Sequence, residues 1–361
     1  MPTLKDAVLD ALRTVDDPDL HKDLVTLNMI RALEVDEEAG QARFTVCLTT
    51  PACPMKDKIR SDCEEAVRKV PGIKDIQIEM TAEVRQTPPG EGREAIRGVR
   101  NIVAVGSGKG GVGKTTTAVN LAVALAKTGA RTALLDADLY GPNVPSMLGV
   151  AGRPRVIENR IVPLTAHGVS VISMGFLVEE GQPLVWRGPM LHGALRQLLH
   201  DVAWGQQDYL IIDLPPGTGD VQLSLSQTVP LAGAVIVTTP QNVALQDARK
   251  GAAMFEKVDV PVLGIVENMS YYLCPACGHR DEIFDNAGGE NAAKKLGVPF
   301  LGALPLNTQI REAMDRGRPV AADEESPFFS AYRDIAQALA QQISVRNAKS
   351  GNVFAVIPPS S

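Results

Sequence analysis

Short apolar strands that alternate with helical stretches predict an α/β protein, a doubly wound, mainly parallel sheet with a smaller α/β domain ahead of it. Three observations carry this expectation. Apolar runs at 102–105, 132–135, 209–212, 234–237 and 262–266 are separated by residues at helical spacing. The stretch Gln86-Thr87-Pro88-Pro89-Gly90-Glu91-Gly92 breaks every periodicity and reads as a linker. Ahead of it, residues 1–85 carry a helix and strand pattern of their own.

In order along the chain, Leu4, Val8 and Leu12 mark a first helix, and Ala42, Phe44, Val46 and Leu48 share one face of a strand. Ile59, Cys63, Val67 and Val70 form the stripe of a second helix, and Ile76, Ile78, Met80 and Val84 alternate as a second strand. The expected domains are 1–85, a linker over 86–98, a main domain over 99–343 and a flexible tail over 344–361. Ser326-Pro327 is read as the start of the last helix, which runs through Tyr332, Ile335 and Leu339 with serine as cap and proline at the first helical position.

The 361 residues are 45% hydrophobic and 22% charged, enough apolar content for two globular domains. A formal net charge of -6 argues against a protein devoted to coating nucleic acid. The first twenty residues mix acids and bases, so neither a signal peptide nor a membrane span is expected, and the cytoplasm is the expected compartment. Five cysteines, an odd count, point to thiol chemistry or metal binding rather than to a disulfide framework.

Gly108-Lys109-Gly110-Gly111-Val112-Gly113-Lys114-Thr115 has the spacing of a phosphate-binding loop, lying between the strand 102–105 and a helix carrying Ala118, Leu121, Ala122 and Leu125. Glycines allow backbone N–H groups to wrap around phosphate oxygens. Lys114 then reaches the outer phosphates and Thr115 offers its hydroxyl to Mg2+, with Thr116 in the same first helical turn. Lys109 is a lysine beyond what the loop requires. Asp136 and Asp138 emerge at the carboxyl edge of the next strand, just before Gly141-Pro142-Asn143, where a carboxylate can orient a water or hold one bound to magnesium. Their alternation suggests different jobs. Tyr209-Leu210-Ile211-Ile212-Asp213 is an apolar strand ending in an acid suited to anchor magnesium through water. Leu214-Pro215-Pro216-Gly217-Thr218-Gly219-Asp220 follows as a loop able to switch between nucleotide states.

Cys274-Pro275-Ala276-Cys277 supplies two thiols at metal-ligand spacing, whereas a tetrahedral zinc or an iron–sulfur cluster wants about four ligands. A symmetric dimer would close a four-thiolate site. On spacing alone iron–sulfur and zinc stand level, with a redox pair, half a zinc ribbon using His279 and a tight turn also open. Cys63 falls on its helix's apolar stripe and reads as a core residue. Cys53, in Thr49-Thr50-Pro51-Ala52-Cys53-Pro54, sits ahead of a helix expected to start at Pro54, whose N-terminus would stabilise a thiolate. It is a candidate accessory thiol.

The doubled-lysine loop resembles the deviant Walker A of the MinD/ParA/nitrogenase-iron-protein class of dimeric ATPases. With Trp186-Arg187-Gly188-Pro189-Met190, the segment 209–220, Glu267-Asn268-Met269-Ser270 and Cys274-Pro275-Ala276-Cys277, residues 99–343 resemble the Mrp/ApbC iron–sulfur carrier family. Asp17-Pro18-Asp19-Leu20 and the segment 49–54 resemble the SufT-like assembly module fused to many bacterial members. The resemblance implies a P-loop ATPase using ATP and Mg2+, a homodimer bridging a [4Fe–4S] cluster through both cysteine pairs, and transfer from scaffold donors to apo-proteins. It implies Lys109 reaching the partner's nucleotide, Asn268 touching adenine and Asp138 near the hydrolytic water, with slow turnover. Movement of 213–220 is expected to couple nucleotide state to the cysteine pair. The end of the chain lacks a basic amphipathic helix, so stable membrane association and specific nucleic-acid binding are not expected. The rival expectations are a ParA/MinD-like positioning ATPase and a zinc-stapled ATPase scaffold.

Overall fold

The computed structural model describes residues 3–90, 92–138, 141–176, 188–217, 219–274, 276–284 and 287–350. They divide into a smaller unit, Met1–Arg85 with Ala340–Ser361, and a larger one, Gln86–Leu339.

In the smaller unit, helix α1 (Leu4–Leu12) starts on a reciprocal cap: the Thr3 hydroxyl accepts the Asp6 N–H at 3.2 Å and the Asp6 carboxylate accepts the Thr3 N–H at 2.9 Å. A short ladder of β1 (Asp16–Asp17) and β2 (Lys22–Asp23) follows. Strand β4 (Gln41–Leu48) lies between β3 (Ile30–Asp36), antiparallel to it, and β5 (Asp75–Ala82), parallel to it. Helix α2 (Lys56–Arg68) supplies the crossover between the parallel pair, and Val8, Leu12, Phe44, Ile59, Cys63 and Val67 close the core. The sequence reading placed the start of α2 at Pro54. In the structure Cys53 N–H bonds to Thr50 O and Lys56 N–H to Cys53 O, so tight turns consume 50–55 and the helix begins two residues later.

The larger unit is built on a nine-stranded sheet. Its central strand, β6 (Val99–Ser107), leads through the glycine loop into α3 (Lys114–Lys127) and then β7 (Thr132–Asp136). After α4 (Val144–Met147), β8 (Arg155–Ile157) and β9 (Arg160–Val162) pair with each other, while β10 (Leu164–Ala166) and β11 (Val169–Ser173) join the sheet. Next come α5 (Gly188–His200), β12 (Gln207–Asp213), α6 (Asp220–Thr228), β13 (Leu231–Thr238) and α7 (Asn242–Lys257). β14 (Val262–Leu273), β15 (Arg280–Asp281), α8 (Gly288–Leu296), β16 (Phe300–Leu306) and α9 (Thr308–Asp315) follow, and α10 (Phe329–Lys349) begins in this unit and passes at residue 340 into the smaller one.

The order is β10-β11-β7-β12-β6-β13-β14-β15, with β16 also on β14; only β10 and β15 run antiparallel. Strands β12 and β13 are buried at every position, which is why they read as continuous apolar runs rather than as alternation. The chain leaves β6 for β7 on one side and later returns to β13 on the other, so the loop after β6 opens at a topological switch point. Thr87, in the expected linker, is buried and bound to β6: its N–H donates to Arg100 O at 3.0 Å and its hydroxyl to Asn101 Oδ1 at 2.8 Å. Helix α10 differs from expectation at both ends. Ser326 Oγ accepts the Phe328 N–H in a turn, so the helix starts beyond Pro327, and it continues to Lys349, past the point where a tail was expected. Among the described residues no helix is long and apolar enough to cross a membrane.

Candidate nucleotide and thiol sites

Gly111 and Gly113 take φ of 80° and 79°, the left-handed region the loop needs. Gly108 is required for space: a Cβ there would stand 2.2 Å from the Asp247 carbonyl carbon on α7. The loop ends at the N-terminus of α3, where Lys114 is 6% exposed and its ammonium lies 2.7 Å from Asp213 Oδ1 and 3.6 Å from Asp138 Oδ2. The Thr115 hydroxyl donates to Asp213 Oδ2 at 2.7 Å. One ammonium, one hydroxyl and two carboxylates thus converge at the mouth of the loop.

β7 and β12 pair in register, with Asp136 opposite Asp213. Burial pushes Asp213 above the usual carboxylate range, while Lys114 and Thr115 pull it back and the charge of Asp138 adds to the rise. Asp136 is raised to about 7, by burial first and the charge of Asp213 second. Its Oδ2 accepts the Ser173 hydroxyl at 2.9 Å and the Val144 N–H at 3.2 Å, and its Oδ1 accepts the Asp138 N–H at 3.2 Å. Asp136 therefore organises the loop after β7, whereas Asp138 faces Lys114. Lys109 is half-buried, with no ion pair among the described residues, and its carbonyl accepts the Ser107 hydroxyl at 3.0 Å. Thr116 is half-buried in the first turn of α3.

A residue the sequence reading passed over holds the loop after Asp213. Gln222 on α6 is 1% exposed, and its Nε2 donates to Pro215 O at 2.9 Å and Gly217 O at 3.0 Å. Gly217 N–H donates to Ser107 O at 2.9 Å, tying the same loop to the end of β6. Thr218 lies outside the described residues, as do Trp186 and Arg187.

Asn268 projects from β14 onto the phosphate loop, where its Nδ2 donates to Val112 O at 2.9 Å. A Cβ at Gly113 would fall 2.1 Å from Asn268 Nδ2, so any other residue would have to displace that amide as well as bear a φ of 79°. Just beyond β14, Cys274 N–H donates to His279 O and Gly278 N–H to Cys274 O, both at 2.9 Å, forming a knuckle closed by β15. Cys274 is half-buried and Cys277 exposed. The Cys274 thiol is held below its usual value by the N–H groups of Ala276 and Cys277 and by the Cys277 thiol. Among the described residues no third His, Cys, Asp or Glu joins the pair to make a metal-holding group, so nothing here adds His279 to the two thiols as the half zinc ribbon would. Pro275 lies outside the described residues.

The expectation for Cys53 is corrected. α2 starts at Lys56 rather than at Pro54, and burial pushes the Cys53 thiol up to about 11, with Asp19 and Asp17 adding to the rise and only the N–H of Met55, at the cap of α2, opposing it. The two short motifs of the smaller unit do meet: Asp17, 4% exposed, accepts the N–H groups of Asp19 and Leu20 and its charge is felt at Cys53. Cys47 and Cys63 are buried.

Residues 98–340 match the family described as NUBPL iron-transfer P-loop NTPase, and residues 5–80 match the iron–sulfur cluster assembly protein family. The chain is 53% identical over 349 residues to the iron–sulfur cluster carrier protein of Deinococcus radiodurans, covering 95% of this chain and 97% of that one. It is 51% identical over 347 residues to the protein of the same name from Synechocystis, covering 94% and 98%. Among solved structures, a nucleotide-binding protein of Archaeoglobus fulgidus in complex with ADP is 38% identical, with a TM-score of 0.57 over 65% of this chain and 92% of that one.

Proposed function

The chain belongs to the NUBPL-type iron-transfer P-loop NTPases, and on that basis we propose that it is an ATP-hydrolysing carrier that holds a [4Fe–4S] cluster between two copies of itself and passes it to apo-proteins. The observation that carries the reading is the pair Cys274 and Cys277, with main-chain N–H groups favouring the Cys274 thiolate and no third ligand among the described residues. Two sulfurs per chain suit a cluster shared across a twofold axis.

ATP is bound by the N–H groups of residues 108–113 and the N-terminus of α3. Lys114 exchanges the Asp213 carboxylate for phosphate oxygens. The hydroxyl of Thr115 and the carboxylate of Asp213, 2.7 Å apart, are hard oxygen donors that would hold Mg2+, which would supply charge neutralisation for the phosphates. Asp138 orients the water that attacks the γ-phosphorus as the bond to ADP breaks. Lys109 reaches the nucleotide of the second chain, so hydrolysis requires the dimer, and Asn268 contacts the adenine. Such a machine turns over slowly in the cytoplasm, because its nucleotide state serves as a switch.

Anaerobic reconstitution with iron and sulfide tests the reading. One cluster per dimer is expected, lost in Cys277→Ala. A pair that takes zinc and leaves iron and sulfide in solution would overturn it.

A further inference from the structure

One strand joins the phosphate loop to the cysteine pair, and it is pinned along its way. The pairing of β14 with β16 slips between Glu267 and Tyr271, and within the slip Met269 takes φ of 54°, a left-handed conformation that a bulky side chain resists. The bulge is fixed on both flanks. On one side Asn268 donates to Val112 O of the phosphate loop. On the other the Glu267 carboxylate, 1% exposed, accepts the Ser270 hydroxyl at 2.6 Å and the N–H of Gly289 in the first turn of α8. Glu267 has no lysine or arginine partner among the described residues, so neutral donors, one in the bulge and one on α8, hold a carboxylate that is costly to bury.

Beyond the bulge the strand runs to Leu273 and the Cys274 knuckle. The Arg280 guanidinium lies 3.9 Å from the Tyr271 ring centroid, fastening the knuckle's return strand onto β14. Asn268 and Cys274 are six residues apart in sequence, a span of at most about 20 Å of strand. The loop 214–220 offers no such route. Among the described residues its hydrogen bonds go to Val105, Ser107 and Gln222, and none reaches 274–281.

We propose that nucleotide acts on the cysteine pair through β14, with Glu267 as the positioning residue that stiffens the bulge so that a displacement of the phosphate loop, felt by Asn268, is delivered to Cys274. This rests on the carrier reading for the role of the cysteine pair and names how that site is regulated. It moves the coupling from the loop after Asp213 to the strand after Glu267.

The test reads the thiols themselves and needs no cluster. In the full-length reduced protein, the rate of Cys274 alkylation by iodoacetamide is followed by mass spectrometry with and without a magnesium complex of a non-hydrolysable ATP analogue. The wild type should change rate by at least about fivefold, the lower end of ordinary coupling between sites. In Glu267→Gln, which keeps the side chain's shape, and in Ser270→Ala, nucleotide affinity should stay within about twofold while the change in alkylation falls below about twofold. A merely structural role would lower affinity and response together. Variants that keep the full response, or wild-type thiols indifferent to nucleotide, overturn the proposal. Should Glu267→Gln fail to fold, Ser270→Ala decides. Thiols that respond to nucleotide in a protein that takes no cluster would sink the carrier reading and leave this inference standing. A cluster that assembles on unresponsive thiols would do the reverse.

Discussion

Lys109 and Lys114 sit five positions apart in one loop and meet different surroundings. Lys114 is buried against Asp213 and Asp138, whereas Lys109 is half-buried with no ion pair among the described residues. Removing Lys114 strips the charge that balances a buried carboxylate, so nucleotide affinity and loop integrity should fall together. Removing Lys109 should leave affinity within about threefold and lower hydrolysis by at least about 100-fold, the behaviour of a cation that acts on transition-state charge from a second chain. Calorimetric titration beside phosphate release checks this, and equal loss of both quantities would count against a role across the dimer. The loop residues were legible because their spacing is a physical requirement of phosphate binding. Gln222 was not. A glutamine early in a helix looks like any solvated helix former, and only the fold brings Pro215 O and Gly217 O to its amide. Cys53 misled in the opposite way, since the rule that proline opens a helix outran the two turns the backbone makes first.

At the scale of elements, the glycine loop fits because α7 crosses close above it. Gly108→Ala would drive a Cβ into the Asp247 carbonyl, and the only relief is to push helix and loop apart. Overpacking of this kind costs about 1–3 kcal/mol, and nucleotide affinity should fall with it. Thermal melting and nucleotide titration of the same variant measure both effects, and an unchanged melting curve would show that α7 yields freely. The strands of the parallel sheet were readable as apolar runs because both faces are covered. β3 was not anticipated: it is half-exposed along its length, with Arg31 and Glu34 breaking the pattern and a register shift between them. β8 and β9 bury little, and Val156 and Ile157 remain 66% and 56% exposed, so they leave no periodic trace.

For the molecule as a whole, the buried acids at the carboxyl edge of the sheet make stability depend on pH. Asp136 has its folded value raised from 3.8 to about 7, so between those values the folded protein binds a proton that the unfolded chain has released. Its contribution is therefore full at low pH and is lost as pH rises towards 7. Comparing urea midpoints at pH 5 and pH 8, Asp136→Asn should lose less stability than the wild type, by on the order of 2 kcal/mol. Parallel behaviour of the two proteins would mean that Asp136 is ionised throughout. The knuckle after β14 has a kinetic meaning at the same scale. Because Cys274 and Cys277 gather no third ligand among the described residues, the proposed cluster would need two chains, and if these meet as monomers the loading rate should rise with the square of chain concentration. Abundance then becomes a control in its own right: a cell that makes little of this protein would hold mostly empty chains, however much iron and sulfide it supplies.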